Sequence, residues 1–398
     1  MDYTDKLAKS IQSVKPSGIR RFFDIVNEMD HVISLSVGEP DFQTPWHVRE
    51  AGIASLEKGR TWYTPNRGFK ELCVEITKFY KRKYDLTYEP AKECVVTVGG
   101  SEAIDIALRC LAARGDEVLI PQPSFVCYEP LTVMAGADPV LIETKAENAF
   151  KLTAEQLEEK ITDKTRLLIL PYPNNPTGGI MERSDLEAIA EVVRKHDLMV
   201  LSDEIYSELT YGGKRHVSIA SIDGMQERTV VINGFSKAYA MTGWRLGYAL
   251  GPKEIIAMMV KLHQFCIMSA PTTAQYAAIE ALKNGDGDID TMRNEYDMRR
   301  RFVVGSLNDM GLTCFNPEGA FYCFPCIKST GLTSEEFCTR LLQSKHVALV
   351  PGSAFGDCGE GYVRLSYSYS IKHLTRAMEL IREFLKELKD ESNGQSSR

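Results

Sequence analysis

Residues 94–128 read "CVVTVGGSEAIDIALRCLAARGDEVLIPQPSFVCY". A short β-rich run (94–98) meets a pair of glycines. A stretch with apolar residues at helical spacing follows (101–113), and then a second β-rich run (117–120). Strand, helix, strand is the unit that joins parallel neighbours in one sheet. Working outward, five more runs follow the same grammar: "PVLI" (139–142), "LLIL" (167–170), "LMVLS" (198–202), "TVVI" (229–232) and "LGYAL" (246–250). Amphipathic stretches such as "RSDLEAIAEVVRKHD" (183–197) separate several of them. Near-continuous apolar strands alternating with helices predict an α/β fold: a mostly parallel, seven-stranded sheet lying between helices. In that architecture ligands sit at the carboxyl ends of the strands.

The flanks read differently. Residues 1–45 hold one amphipathic helix, "GIRRFFDIVNEM" (18–29), and an irregular "SVGEPDFQTP" (36–45). Beyond residue 285 come a long charged helix, the short strands "FYCFP", "VALV" and "YVRLSY", and a terminal helix. The expectation is a large domain over 46–285 and a smaller α+β domain built from both chain ends, 1–45 and 286–398. The stretch "KNGDGDIDT" (283–291) reads as a polar linker; its aspartates imitate a calcium loop, but Thr291 stands where that loop requires glycine. The tail "DESNGQSSR" (390–398) has the composition of a disordered end. No internal repeat is evident.

Composition narrows the class. In 398 residues, 44% hydrophobic and 25% charged, there is ample material for a soluble globular core. A formal charge of −7 argues against nucleic acid or an anionic membrane as partner. The uncharged run 262–279 contains too many polar residues for lipid. The amino terminus "MDYTDKLAKS" lacks an apolar signal region, so a cytoplasmic location is expected. Cys73, Cys94, Cys110 and Cys266 fall within apolar patterns, and the Cys323–Cys326 pair lacks a second pair or nearby histidines. No metal site is expected.

Chemistry gathers at the strand ends. Gly99 and Gly100, turning into a helix, read either as a simple capped turn or as a phosphate cradle. Neither a P-loop lysine nor a G-x-G-x-x-G is present, which disfavours nucleoside triphosphates and NAD. "PYPNNPTGG" (171–179) supplies Asn175; "DEIY" (203–206) supplies Asp203 and Tyr206; "NGFSKAYAMTGWRLGYAL" (233–250) supplies Ser236, Lys237 and Arg245. A lysine among apolar neighbours has a lowered pKa and forms a Schiff base with an aldehyde. Pyridoxal phosphate needs that lysine, an anion facing its pyridine nitrogen, and a phosphate site. Asp203 suits the anion, Tyr206 and Asn175 can donate to the ring oxygen, Arg245 can help hold the phosphate, and Phe125 can stack on the ring.

"SVGEPDFQTP", "YTPNRG", "VTVGGSEA", "PYPNNPTGG", "SDEIYSELTY", "GFSKAYAMTGWRLGY" and "YVRLSYS" together, in this order, resemble the fold-type I pyridoxal-phosphate-dependent aminotransferases. The class I family, which includes the aspartate and aromatic aminotransferases, is the one they are similar to, from about residue 15 to residue 385. The resemblance implies a Schiff base on Lys237, which later moves protons. Gly100, Ser101, Glu102 and Ser236 would face the phosphate with Arg245. Asn175 and Tyr206 would hold the ring oxygen and Asp203 the ring nitrogen. Gly38 would let backbone approach the substrate, alongside Asn175, and Arg364 would grip its carboxylate. Tyr63 would reach the phosphate of a neighbouring subunit, so a homodimer with shared sites is implied.

Two departures stand out. Gly234 replaces the serine that distant relatives carry three residues before the lysine, and Ser101 stands where some aspartate-acting relatives carry a lysine. The expected activity is transfer of an amino group between an L-amino acid and a 2-oxo acid by a ping-pong mechanism. The alternatives are a carbon–sulfur β-lyase on the same fold, or a non-catalytic pyridoxal-phosphate-binding protein.

Overall fold

The computed structural model describes residues 3–14, 16, 29 and 31–395; the helix expected at 18–29 lies outside the described residues except for Met29. The seven expected runs form one sheet. They are β2 (Cys94–Thr97), β3 (Glu117–Gln122), β4 (Asp138–Glu143), β5 (Thr165–Leu170), β6 (Met199–Asp203), β7 (Thr229–Gly234) and β8 (Gly247–Leu250). The spatial order is β2-β8-β7-β6-β5-β3-β4. All pairings are parallel except those of β8, which runs antiparallel to both β2 and β7.

Burial differs between the two edges: every residue of β2, at one edge, is buried like those of β7 and β8, whereas β4, at the other edge, is half exposed. Successive side chains point to opposite faces, so Val95 packs with Ile104, Ile120 and Leu201 while Val96 packs with Leu72, Val231 and Tyr248. Helices therefore cover both faces of the sheet.

The reversal at β8 matters for chemistry. Its first residue, Gly247, pairs with Thr97 and Gly234, at the edge where the parallel strands end. A Cβ on Gly247 would lie 2.5 Å from the carbonyl carbon of Gly99 and 2.6 Å from the amide nitrogen of Gly100. Only glycine lets the strand pass so close to that turn. Arg245, two residues earlier, is thereby delivered to the same edge.

The two chain ends pack together. Strand β1 (Ile33–Ser34) pairs in parallel with β10 (Val347–Ala348), and β11 (Val350–Pro351), β12 (Val363–Ser366) and β9 (Tyr322–Cys323) form an antiparallel sheet. Leu35 shares one apolar cluster with Tyr296, Phe337, Leu365 and Leu374.

Two sequence expectations need correcting. Residues 283–291 are not a linker: helix Thr272–Asn284 and helix Asp286–Asp309 meet at Gly285. Asp286 and Asp288 occupy the first turn of the second helix, where the helix dipole favours carboxylates. Arg82 and His47 also meet them there. The tail is helical as far as Gln395, the end of helix Ile371–Gln395, whose buried face reaches Leu388. Among the described residues no helix is long and apolar enough to cross a membrane.

Candidate active site

A cavity of about 260 Å³ opens at the strand ends, and side chains from distant parts of the chain converge on it. The turn after β2 contributes Gly100 and Ser101, and the loop after β3 contributes Phe125. Asn175 follows β5, Asp203 closes β6 with Tyr206 just beyond, and Ser236 and Lys237 follow β7. Arg245 precedes β8, Gly38 comes from the amino-terminal segment, and Arg364 from β12.

Asp203 is buried and held at both oxygens. The hydroxyl of Tyr128 donates to its Oδ2 at 2.8 Å, and the amide of Ile205 donates to its Oδ1 at 3.2 Å. Burial pushes its carboxyl up to about 6, and the Tyr128 and Ile205 hydrogen bonds oppose that rise. Lys237 donates from Nζ to the carbonyl of Gly38 at 2.6 Å, and lies 5.8 Å from the ring centres of both Tyr206 and Phe321. Burial lowers its ammonium to about 8; Glu39 opposes this, while Arg364 and Arg245 add to it. A good fraction of this amine is therefore neutral near physiological pH, the form that attacks a carbonyl.

Arg364 is a preorganised fork. Its guanidinium lies between the rings of Tyr322 (4.6 Å) and Phe355 (4.9 Å). Its Nη1 donates to Asn175 Oδ1 at 2.9 Å, and its Nη2 to the carbonyl of Ser36. Among the described residues its buried Nε finds no hydrogen-bond partner. An unmet donor on a buried cation is costly unless a ligand satisfies it, and a carboxylate matches the Nε–Nη2 edge bidentately. Arg245 adopts a left-handed backbone (φ 52°), and a Cβ on Gly99 would come within 2.7 Å of its Nη2. Guanidinium and glycine turn thus face one another as a site for a phosphate.

Two expected residues stand elsewhere. Glu102 turns away from the cavity: its Oε2 accepts from the amide of Val98 at 2.5 Å and its Oε1 lies 2.6 Å from Nδ1 of the buried His263. It braces the glycine turn from behind. Tyr63 does not line the cavity of its own chain and is 79% exposed. The sequence reading missed Tyr128 and Tyr322. Tyr322 shares a 2.7 Å hydrogen bond with Tyr206 and flanks Arg364. Both tyrosines lie inside stretches read for other residues, "PQPSFVCY" and "FYCFPC", and nothing local pairs either with its partner.

The profile of the family "Aminotransferase class I and II" matches residues 30–381. An aspartate aminotransferase of Pyrococcus abyssi is 46% identical over 96% of this chain and 99% of its own. Aromatic-amino-acid aminotransferase 2 of Thermococcus litoralis is 44% identical over the same shares. Among solved structures, the aspartate aminotransferase of Thermus thermophilus with maleate superposes with a TM-score of 0.90 at 36% identity, over 95% of this chain and 99% of that one. The chain belongs to the class I and II aminotransferases, a family of transaminases that work with pyridoxal phosphate.

The Asp203 environment predicts a stability effect. Its folded pKa lies above the ordinary 3.8, so the native state binds the proton more tightly and ionisation costs stability as pH rises from 3.8 to about 6. Above that window the full penalty stands, at most about 3 kcal/mol. Asp203→Asn should raise the thermal midpoint of the cofactor-stripped protein at pH 7.5, with the gain fading towards pH 4. A variant equally or less stable than wild type at pH 7.5 would show that burial does not penalise this carboxylate.

Proposed function

We propose that this aminotransferase exchanges amino groups between an L-amino acid and a 2-oxo acid in two half-reactions at the cavity of Lys237, with pyridoxal phosphate held there. The observation that carries the reading is the convergence of three groups in one cavity: an amine lowered to about 8, a buried carboxylate, and a guanidinium with an unmet buried donor. Each fits one part of the reactants. Arg245 and the Gly99–Gly100 turn suit the phosphate, Asp203 the ring nitrogen, Asn175 and Tyr206 the ring oxygen, and Phe125 the ring face.

When bound, pyridoxal phosphate supplies an electron sink that makes the α-hydrogen of the amino acid acidic. The chain's own groups do the rest. Arg364 orients the α-carboxylate, and Asn175, bonded to its Nη1, fixes the fork's rotation. Lys237 Nζ would take up the substrate's α-proton and hold it for return, which suits a group whose pKa lies near the working pH. Asp203, ionised above about pH 6, keeps the ring nitrogen protonated. Ser101 and Ser236 complete the polar lining on the phosphate side.

The deciding experiment needs no second substrate. Stoichiometric protein is mixed separately with glutamate, aspartate, alanine, phenylalanine and cystathionine. At least one of the first four should convert the visible cofactor spectrum to that of pyridoxamine phosphate, and 2-oxoglutarate should restore it. Ammonia from cystathionine with no amine form from any amino acid would make the protein a lyase, and no change at all a non-catalytic binder. Lys237→Ala should lose the visible absorbance of bound cofactor while keeping its thermal transition.

Arg364→Leu should weaken amino acids and 2-oxo acids alike, by roughly 2–5 kcal/mol in kcat/KM, with cofactor affinity little changed. Unaltered kcat/KM for both would remove the arginine from the substrate site.

The site is further proposed to be completed in a dimer. Trp46, Trp62, Tyr63 and Phe265 are 59%, 63%, 79% and 80% exposed, a cost that burial against a second copy would relieve. Mixing Lys237→Ala with inactive Tyr63→Phe chains should regenerate some activity through sites holding both native residues. Verified heterodimers without recovery would mean that each site is built from one chain. The division into a large domain (46–285) and a small one (1–45 with 286–398) belongs to the same proposal, resting on the cluster that joins the chain ends.

A further inference from the structure

A second buried carboxylate lies directly behind the cavity. Glu204 follows Asp203 and is completely buried. Side chains alternate along a strand, so residues 202 and 204 face away from residue 203. Asp203 turns to Tyr128, whereas Ser202 donates its hydroxyl to Glu204 Oε1 at 3.0 Å on the other face. Ser218 donates to the same oxygen at 2.6 Å, and His216 Nε2 lies 3.1 Å from Oε2, close enough for charge attraction but outside hydrogen-bond geometry. The amide of Glu204 donates to the carbonyl of Ile232 at 2.8 Å, extending the β6–β7 pairing by one residue.

These contacts close a loop on its own origin. The chain leaves the sheet at Glu204 and carries Tyr206 into the cavity. It then runs Leu209–Tyr211 alongside residues 318–320, where the Tyr211 amide donates to the Glu318 carbonyl at 3.0 Å and the Ala320 amide to the Leu209 carbonyl at 2.9 Å. It comes back at His216–Ser218 to hold the carboxylate it started from.

We propose that Glu204 is a positioning residue for transamination: its buried carboxylate clasps the 205–218 excursion and sets the charge on Asp203 from the opposite face of the sheet. This rests on the reading that Asp203 faces the cofactor's ring nitrogen. Two anions on successive residues in a dry interior disfavour one another. Burial raises the Asp203 pKa most and the Tyr128 and Ile205 hydrogen bonds oppose it; the charge of Glu204 adds a smaller push upward, and Lys237 a smaller one downward. Cys127 and Tyr206 also face Asp203, and Tyr80, Tyr84, Tyr88 and His216 face Glu204. Front and back of the strand thus act on one carboxylate with opposite sign.

The test follows how firmly the holoenzyme keeps its cofactor as pH falls, read as the visible absorbance retained by protein after filtration. Glu204→Gln keeps the shape and an acceptor for the serines but removes the charge, so the midpoint of cofactor loss should move to lower pH. Tyr128→Phe removes the opposing donor, so the midpoint should move to higher pH. A folded Glu204→Gln variant with an unchanged or raised midpoint overturns the proposal. If that variant fails to fold, the double variant Glu204→Met/Ser218→Ala decides: it removes the charge together with a donor that would be left unpaired, so the midpoint should again move to lower pH, and an unchanged or raised value overturns the proposal. Wild-type protein lacking visible cofactor absorbance at neutral pH would defeat the cofactor reading instead, a distinguishable failure.

Discussion

The segment Leu35–Glu39 is held in place by the very cations that the proposed chemistry uses. Lys237, from the central sheet, donates to the Gly38 carbonyl, and Arg364, from the antiparallel sheet, donates to the Ser36 carbonyl. Backbone and serine contacts complete the seam: the Ser366 amide reaches the Leu35 carbonyl at 2.9 Å, and the Ser368 hydroxyl reaches the Glu39 carbonyl at 2.7 Å. One extended stretch thereby ties together parts of the chain that lie hundreds of residues apart. Gly38 must be glycine here, because a Cβ would run into the Tyr322 hydroxyl. In the proposed reaction a substrate carboxylate meets the same Arg364 that holds this segment, so substrate binding and the placement of the amino-terminal segment share one guanidinium.

Burial is the second constraint, and it works in opposite directions on the two titrating groups. It pushes the Asp203 carboxyl up to about 6 and the Lys237 ammonium down to about 8. Both shifts cost folding free energy near neutral pH, because each group is held in the environment that suits its neutral form. The rest of the fold offsets this with a sheet whose central strands are buried throughout and flanked by apolar clusters on both faces. The resulting pKa values bracket neutrality. Between about pH 6 and 8 Asp203 is an anion while Lys237 exchanges its proton readily, as the proposed role of taking and returning a proton requires.

Much of this was legible in the sequence, for a physical reason. Strand periodicity and strand-end position are local properties, so the seven runs and the cavity residues at their ends could be read without coordinates. What escaped depends on long-range pairing. Tyr128 and Asp203 are 75 residues apart, and Tyr206 and Tyr322 are 116 apart; no local pattern marks either pair. Glu102 shows the limit from the other side. A carboxylate after paired glycines can face a phosphate or brace the turn, and His263, 161 residues away, draws it behind the turn. The acidic stretch after Gly285 looked like a linker because aspartates suit both loops and first helical turns. Arg82 and His47, brought near only by folding, favour the helix.

The antiparallel placement of β8 is the least obvious feature and explains why Lys237 and Arg245 reach the cavity from one continuous stretch. Lys237 leaves β7 at the chemical edge, and a parallel successor would require a crossover to the far edge before returning. An antiparallel neighbour needs only the short turn 235–246, so Lys237 and Arg245 stay on the same edge, eight positions apart in sequence. The turn is kept compact by the Met241 amide donating to the Ser236 carbonyl at 3.2 Å and the Arg245 Nη1 donating to the Thr242 carbonyl at 3.1 Å. Proximity of amine and guanidinium is thus a consequence of strand direction, and the left-handed backbone at Arg245 is the local strain that accompanies it.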